Sequence, residues 1–143
     1  MNAETVQRLN ELLEAERAGV ETLQALLKTV PKGYFRNHLV KIEADEAFSC
    51  AVLVRAVETA GGAPSHATGD FAQKVLALET LAERLKLLSR GQTWVVRRVD
   101  AVMEAVSDEE SRKELLEMRR EHVDNVAWCD QQVEELNTLA ATT

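Results

Sequence analysis

Proline and glycine are scarce in this chain of 143 residues, which contains two prolines and six glycines. Because clustered glycine and proline interrupt regular structure, their positions mark the connections. They gather in two places, at 31–33 and at 61–69. The stretches between them are rich in good helix formers and show no alternation of the kind that strands require. The sequence therefore predicts an all-α chain.

Basic clusters, long apolar runs and a cysteine framework are also missing. The formal net charge is −7, and an acidic surface repels phosphate backbones, which argues against nucleic acid as a partner. No run approaches the roughly 20 apolar residues of a membrane span, so we expect no membrane partner. Cys50 and Cys129 are too few for a disulfide framework and indicate free thiols. We expect one cytoplasmic domain over residues 1–143.

Four long helices are predicted, over about 3–30, 34–60, 70–106 and from Ser107 to about 136–140. Ser107 and Glu110 form a capping-box pattern at the start of the last helix. Apolar residues of the third helix recur every seven positions through Gly91, which favours one continuous helix. The loop 61–69 reaches at most about 30 Å, less than a helix of about 40 Å, so we expect up-down-up-down connectivity. The predicted fold is an antiparallel four-helix bundle.

Each predicted helix carries one polar residue on its apolar stripe. These residues are Glu16, Glu46, Gln92 and His122. The first two are equidistant from Pro31 and the last two from Ser107. Each helical hairpin therefore places its two polar residues at the same height along the bundle. Burying an unpaired carboxylate costs several kcal/mol, so these groups must be paired, protonated or ligated.

Four segments carry a resemblance to a known family. They are 9–19 (LNELLEAERAG), 44–47 (ADEA), 61–69 (GGAPSHATG) and 90–97 (RGQTWVVR). With the inward glutamates and histidine, they resemble the ferritin-like superfamily, and within it a bacterial ferritin-like domain family of unknown function. The resemblance covers essentially the whole chain. It implies a ferritin-like bundle and no particular activity.

In ferritin-like proteins, two helices each give a Glu and two give a Glu-x-x-His, which hold two iron or manganese ions. Three positions match this pattern, namely Glu16, Glu46 and His122. Three differ, since Ser49, Gln92 and Arg119 stand where the pattern has His, Glu and Glu. Because a dinuclear centre needs bridging carboxylates, the pattern gives poor support for two adjacent divalent ions.

Three interpretations stay open. In the first, the three matching residues bind one Fe, Mn or Zn ion and leave positions open for water or a ligand. In another, the chain is a di-iron oxidoreductase whose missing ligands come from Glu43, Cys50, Asn125 or water.

The remaining interpretation is a metal-free interaction or scaffold protein with a buried polar network at the former metal site. Arg119, one turn before His122, would neutralise a buried glutamate in that network. Gln92 and Ser49 would complete its hydrogen bonds, and Asn125 flanks His122.

Two predicted helices have a second apolar stripe. The stripes consist of Leu76, Leu87, Trp94 and Ala101 on the third helix and of Val40, Ala44, Ala47, Ala51 and Val54 on the second. Helices that are apolar on two faces are wedged between neighbours or buried in an oligomer. We therefore expect a homodimer.

Overall fold

The computed structural model describes residues 2–142, which form a bundle of four long helices and one short helix. Helix α1 spans Ala3–Leu27, α2 Tyr34–Thr59, α3 Phe71–Leu76, α4 Leu81–Met103 and α5 Glu109–Thr142. No strand occurs between residues 2 and 142. None of the described helices combines the length and the apolar character that crossing a membrane requires. The predicted all-α, antiparallel four-helix bundle is confirmed.

The connectivity of the bundle differs from the prediction. Around the bundle the order is α1, α2, α5, α4, and neighbouring long helices run antiparallel. Lys41 contacts Asn125 at one level of the α2–α5 interface, and Arg55 pairs with Glu114 at another. Since α4 and α5 form an antiparallel hairpin, α2 and α4 run in the same direction. The bundle is therefore up-down-down-up, and the predicted up-down-up-down order is wrong.

The chain crosses the bundle between α2 and α4 along the side of α1. The Asn10 side chain donates to the carbonyl oxygen of Ala63 at 3.1 Å and accepts from the amide of Ser65 at 2.8 Å. Further along α1, the Arg17 guanidinium donates to the carbonyl oxygens of Ser65 and Ala67. The prediction counted only 61–69 as connection, whereas residues 60–80 make the crossing and have the reach for it.

The third predicted helix is divided, but not at its glycine. It breaks between α3 and α4, where Thr80 and Glu83 form a capping box with two side chain to backbone hydrogen bonds of 3.1 Å. Gly91 lies inside α4, and the expected passage of the helix through it is confirmed. A Cβ atom on Gly91 would come within 2.9 Å of the Phe71 ring. The glycine thus provides room for α3 to pack against α4.

The N-cap of the last helix lies one residue later than predicted, and α5 begins at Glu109. The Asp108 carboxylate accepts hydrogen bonds of 2.9 Å from both the amide and the hydroxyl of Ser111. Asp108 therefore caps α5, and the prediction of Ser107 as the cap is wrong. An ionised carboxylate is a stronger acceptor for the free amides of the first turn than a hydroxyl.

The apolar core consists of two clusters separated by a polar layer. One cluster includes Leu9, Leu13, Leu53, Val99, Leu115 and Met118. The other includes Leu23, Leu39, Ile42, Leu85, Leu88 and Cys129. Along each long helix, the inward polar residue lies between members of the two clusters. The bundle therefore encloses its central polar residues in hydrocarbon from above and below.

Candidate metal centre

Glu16, Glu46 and His122 meet in the layer between the two apolar clusters. One donor atom from each residue lies within 4.8 Å of the other two. The residues are 0%, 1% and 0% exposed, respectively. The structure therefore brings together the three residues that match the ligand pattern. No further His, Cys, Asp or Glu of the described chain joins this group.

His122 is oriented by its own helix. Its Nδ1 atom lies 2.7 Å from the carbonyl oxygen of Met118, one turn earlier. Because a carbonyl oxygen only accepts, Nδ1 carries the hydrogen, and Nε2 is the ring atom that faces the carboxyl groups. Nε2 lies 2.9 Å from Glu16 Oε1 and 3.7 Å from Glu46 Oε1. Metal-bound histidines are commonly held in this way by a hydrogen bond on the second ring nitrogen.

Burial changes the titration of both carboxyl groups. Desolvation raises the pKa of Glu16 to about 7, although its hydrogen bond with Glu46 opposes the shift. The pKa of Glu46 lies well above its usual value, because of burial first and then of the nearby Glu16 charge. Two adjacent buried carboxylates repel each other, so burial and mutual repulsion both favour a protonated pair.

Gln92 and Ser49 border the same layer. The Gln92 amide nitrogen donates to Glu46 Oε1. The Gln92 Oε1 and Ser49 Oγ atoms are buried and have no hydrogen-bond partner among residues 2–142. Since buried polar atoms are rarely left unpaired, both atoms are suited to contact a group bound in this layer.

Arg119 does not belong to the buried network. Its guanidinium forms a two-point ion pair with Asp100 of α4, with N–O distances of 2.6 and 3.1 Å. This pair lies on the outside of the bundle, where the guanidinium stays hydrated. The expectation that Arg119 neutralises a buried glutamate is therefore wrong, because its guanidinium pairs with Asp100 instead.

Asn125 is buried in a neighbouring cluster between α2 and α5. It donates to Asp45 Oδ2 at 3.1 Å and accepts from Lys41 Nζ at 3.0 Å, and Lys41 pairs with Asp45 at 2.8 Å. Burial, followed by a hydrogen bond with Asp45, raises the pKa of Glu121 to about 7. The sequence analysis did not predict this cluster. The i,i+4 spacings of Lys41 with Asp45 and of Glu121 with Asn125 were the available signal.

Gly19 permits the close approach of α2 to α1 at the site. A Cβ atom at this position would lie 2.7 Å from Glu46 Oε2. Gly19 lies in the interior of α1. Its cost of about 1 kcal/mol relative to Ala in a helix interior was the signal of a packing requirement.

The two cysteines do not extend the site. Both are free thiols. Burial is the largest cause that raises the pKa of each thiol to about 12. A thiol with such a pKa is protonated at neutral pH and is a poor nucleophile. Neither Cys50 nor Glu43 belongs to the Glu–Glu–His group, so neither supplies a missing ligand of the di-iron hypothesis in this structure.

The bundle has a ferritin-like fold, with a Glu–Glu–His group in its central layer. The chain belongs to the family described as "Domain of unknown function (DUF6306)", whose model matches residues 3–131. It is also similar to a solved structure titled "ferritin like, diiron-carboxylate proteins" from Bacillus anthracis strain Ames. That match has 21% identity, covers 97% of this chain and 99% of the other, and has a TM-score of 0.64. The predicted ferritin-like resemblance is confirmed. No curated protein matches the chain.

Proposed function

We propose that this protein binds one divalent transition-metal ion, Fe(II), Mn(II) or Zn(II), through Glu16, Glu46 and His122. The observation that carries the proposal is the convergence of their donor atoms within 4.8 Å in a buried layer. Two carboxylates and one neutral imidazole are ligands that suit these metals.

The electrostatics of the layer support a cation. Burial opposes ionisation of Glu16 and Glu46, and a divalent ion removes this penalty by compensating both charges. Binding would then release a proton from the protonated pair. The Nε2 atom of His122 already faces the carboxyl groups, so the imidazole needs no change of orientation.

The donor set fits one ion better than two. A ferritin-like di-metal centre uses four carboxylates and two histidines. Here Gln92 and Ser49 contribute neutral atoms at two of those positions, and Arg119 faces outward. A second divalent ion beside the first would lack the negative charge that stabilises it. The similar Bacillus anthracis protein is titled a diiron-carboxylate protein. We propose that this chain has a related centre with fewer ligands and one metal ion.

A bound ion would supply Lewis-acid chemistry and, for iron or manganese, redox chemistry. The chain itself contributes the position of the ligands and their apolar surroundings. Met118 holds the imidazole ring, Gln92 holds Glu46 through its amide nitrogen, and the apolar clusters close the layer on both sides.

Metal content and affinity test the proposal. The purified chain is stripped with a chelator and titrated with Fe(II), Mn(II), Zn(II) and Co(II), and bound metal is measured by elemental analysis. We expect one ion per chain. Glu46→Gln and His122→Gln should each lower the affinity by roughly 100-fold or more, because each removes a ligand.

Glu43→Gln and His38→Gln are the matched controls, since they change the same residue types on α2 outside the site. Both should retain one ion per chain. A folded wild-type chain that retains no metal would overturn the proposal. Two ions per chain would overturn its mononuclear form and favour the di-iron hypothesis.

A metal-free scaffold is the second candidate function. It is favoured by the 2.9 Å hydrogen bond between His122 and Glu16, which closes the network without an ion. If this candidate holds, the Glu46 and His122 variants lose stability, and neither they nor the wild-type chain ever contains metal.

The homodimer and the cytoplasmic location stay predictions. The stripe on α2 lies on the outside of the bundle, with Val40 45% exposed and Ala44, Ala47 and Ala51 also exposed. Sedimentation tests the dimer. Ala47→Glu should dissociate it, whereas Ala77→Glu, at an exposed alanine outside the stripe, should not.

A further inference from the structure

A cavity of about 390 Å³ lies between α1, α3 and α4 and adjoins the candidate metal centre. Glu16, Glu46 and Gln92 line its polar end. Trp94 and Lys74, which are exposed side chains, line it towards the surface. The cavity therefore extends from solvent to the buried layer, and its volume lies within the range of small-molecule sites.

The polar end of the cavity is rich in hydrogen-bond acceptors. Gln92 is 4% exposed, and its Oε1 atom has no partner among the described residues. Its amide nitrogen is already engaged by Glu46, so the oxygen is the part of the amide left to bind a ligand. A buried acceptor of this kind favours a ligand that brings an O–H or N–H group.

The walls of the cavity are apolar. Leu88 and Val95 of α4 are buried, and Phe71 of α3 packs over Gly91, where no side chain intervenes. Trp94 is held in place by the Arg98 guanidinium, 4.9 Å from the centre of its ring. These surfaces match the body of an aromatic or aliphatic molecule.

We infer that this cavity binds a small, neutral, apolar molecule that carries a single hydroxyl or N–H group at its inner end. The expectation that the ligand is neutral rests on the proposed function, since a bound divalent ion would compensate the charges of Glu16 and Glu46. The donor group pairs with Gln92 Oε1, and the apolar body lies along Leu88, Val95 and Phe71. The ligand would thus reach the metal centre from the side of α3.

Phenol and toluene form a matched pair of probes, because they have similar size and differ in the donor group. Each is titrated into the ¹⁵N-labelled, chelator-treated full chain, and the two tryptophan indole N–H signals are followed by NMR. Trp94 lines the cavity, whereas Trp128 packs elsewhere, stacked on His38 at 4.1 Å between ring centres. Trp94→Phe assigns the signals.

We expect phenol to shift the Trp94 signal and to leave the Trp128 signal in place. Toluene should bind about tenfold more weakly, because it leaves the buried acceptor unpaired. Gln92→Leu should remove this difference by weakening phenol alone. Gln24→Leu, at an exposed position of α1, should leave it unchanged.

If Gln92→Leu does not fold, anisole replaces it as the test on the wild-type chain. Anisole keeps the ring and the oxygen of phenol but has no O–H group, so it should bind as weakly as toluene. Equal affinities for phenol and toluene would overturn the inference, as would shifts of both tryptophan signals or of neither. Because these titrations use metal-free protein, their failure is distinguishable from a failure to bind metal.

Discussion

The Nε2 atom of His122 lies 2.9 Å from Oε1 of Glu16, although the two residues are 106 positions apart in the sequence. They come from α5 and α1, which face each other diagonally across the bundle. Only the centre of the bundle allows side chains from opposite corners to meet. This contact therefore marks the level at which a ligand can be held by several helices at once.

The metal-free protein should lose stability as the pH rises from 5 to 8. The raised pKa of Glu16, about 7 instead of 4.5, means that the folded chain keeps a proton that the unfolded chain has released in this range. The stabilising contribution is complete below about pH 4.5 and is lost as the pH passes 7. The loss from Glu16 is about 3 kcal/mol. Urea unfolding with chelator present measures it.

Glu16→Gln is the control for this pH dependence. It should reduce the slope above pH 5 by the share of Glu16, because the amide does not titrate, whereas the raised pKa values of Glu46 and Glu121 keep a residual slope. Metal should also reverse the trend, since ions compete with protons and bind more tightly as the pH rises. A metal-free wild-type chain that gains stability between pH 5 and 8 would contradict the protonated carboxyl pair.

Gly19→Ala should weaken metal binding and lower stability. Alanine improves helix propensity by about 1 kcal/mol, but its Cβ atom would lie 2.7 Å from Glu46 Oε2 and displace that carboxylate. Metal titration and thermal unfolding measure the two effects. Gly69→Ala is the control, because no atom lies within 4 Å of the added carbon. Unchanged metal affinity in Gly19→Ala would contradict the expected displacement of the Glu46 carboxylate.

Arg119→Met should leave the buried layer unchanged. The Arg119 guanidinium pairs with Asp100 at the surface and has no contact with Glu46. The effects of Arg119→Met and Glu46→Leu on the free energy of unfolding should therefore add within about 0.5 kcal/mol. A double-mutant cycle by urea unfolding measures the coupling. Rescue of Glu46→Leu by Arg119→Met would restore the buried-neutraliser hypothesis.

Asp108→Ala should lower the free energy of unfolding by about 1 kcal/mol, because it removes the acceptor that caps α5. Ser107→Ala should have little effect, since Asp108 is the residue that binds the free amide of Ser111. Thermal or urea unfolding of the two variants measures the difference. Equal losses from both would argue against Asp108 as the sole cap.

Much of the candidate site was predictable from helical periodicity. Glu16, Glu46, Gln92 and His122 replace apolar residues on otherwise apolar stripes, and a stripe that faces a core carries its polar members inward. The positions of Arg119 and Asn125 were harder to predict. Both lie within one turn of His122, and a shift of one position along a helix rotates a side chain by about 100°. Such residues face a neighbouring helix whose identity depends on the packing.

The sequence by itself determined the helices and their inward polar residues, because 3.6-residue periodicity and Gly–Pro clusters act locally. The ferritin-like class followed from the resemblance of short segments to a known family. Only the tertiary structure decided the connectivity. Hydrogen bonds from Asn10 and Arg17 hold the crossing segment along α1, and residues so distant in sequence leave no periodic signal. The tertiary structure also decided which charged groups are paired at the surface and which buried carboxyl groups have a raised pKa, since desolvation depends on everything packed around a carboxylate.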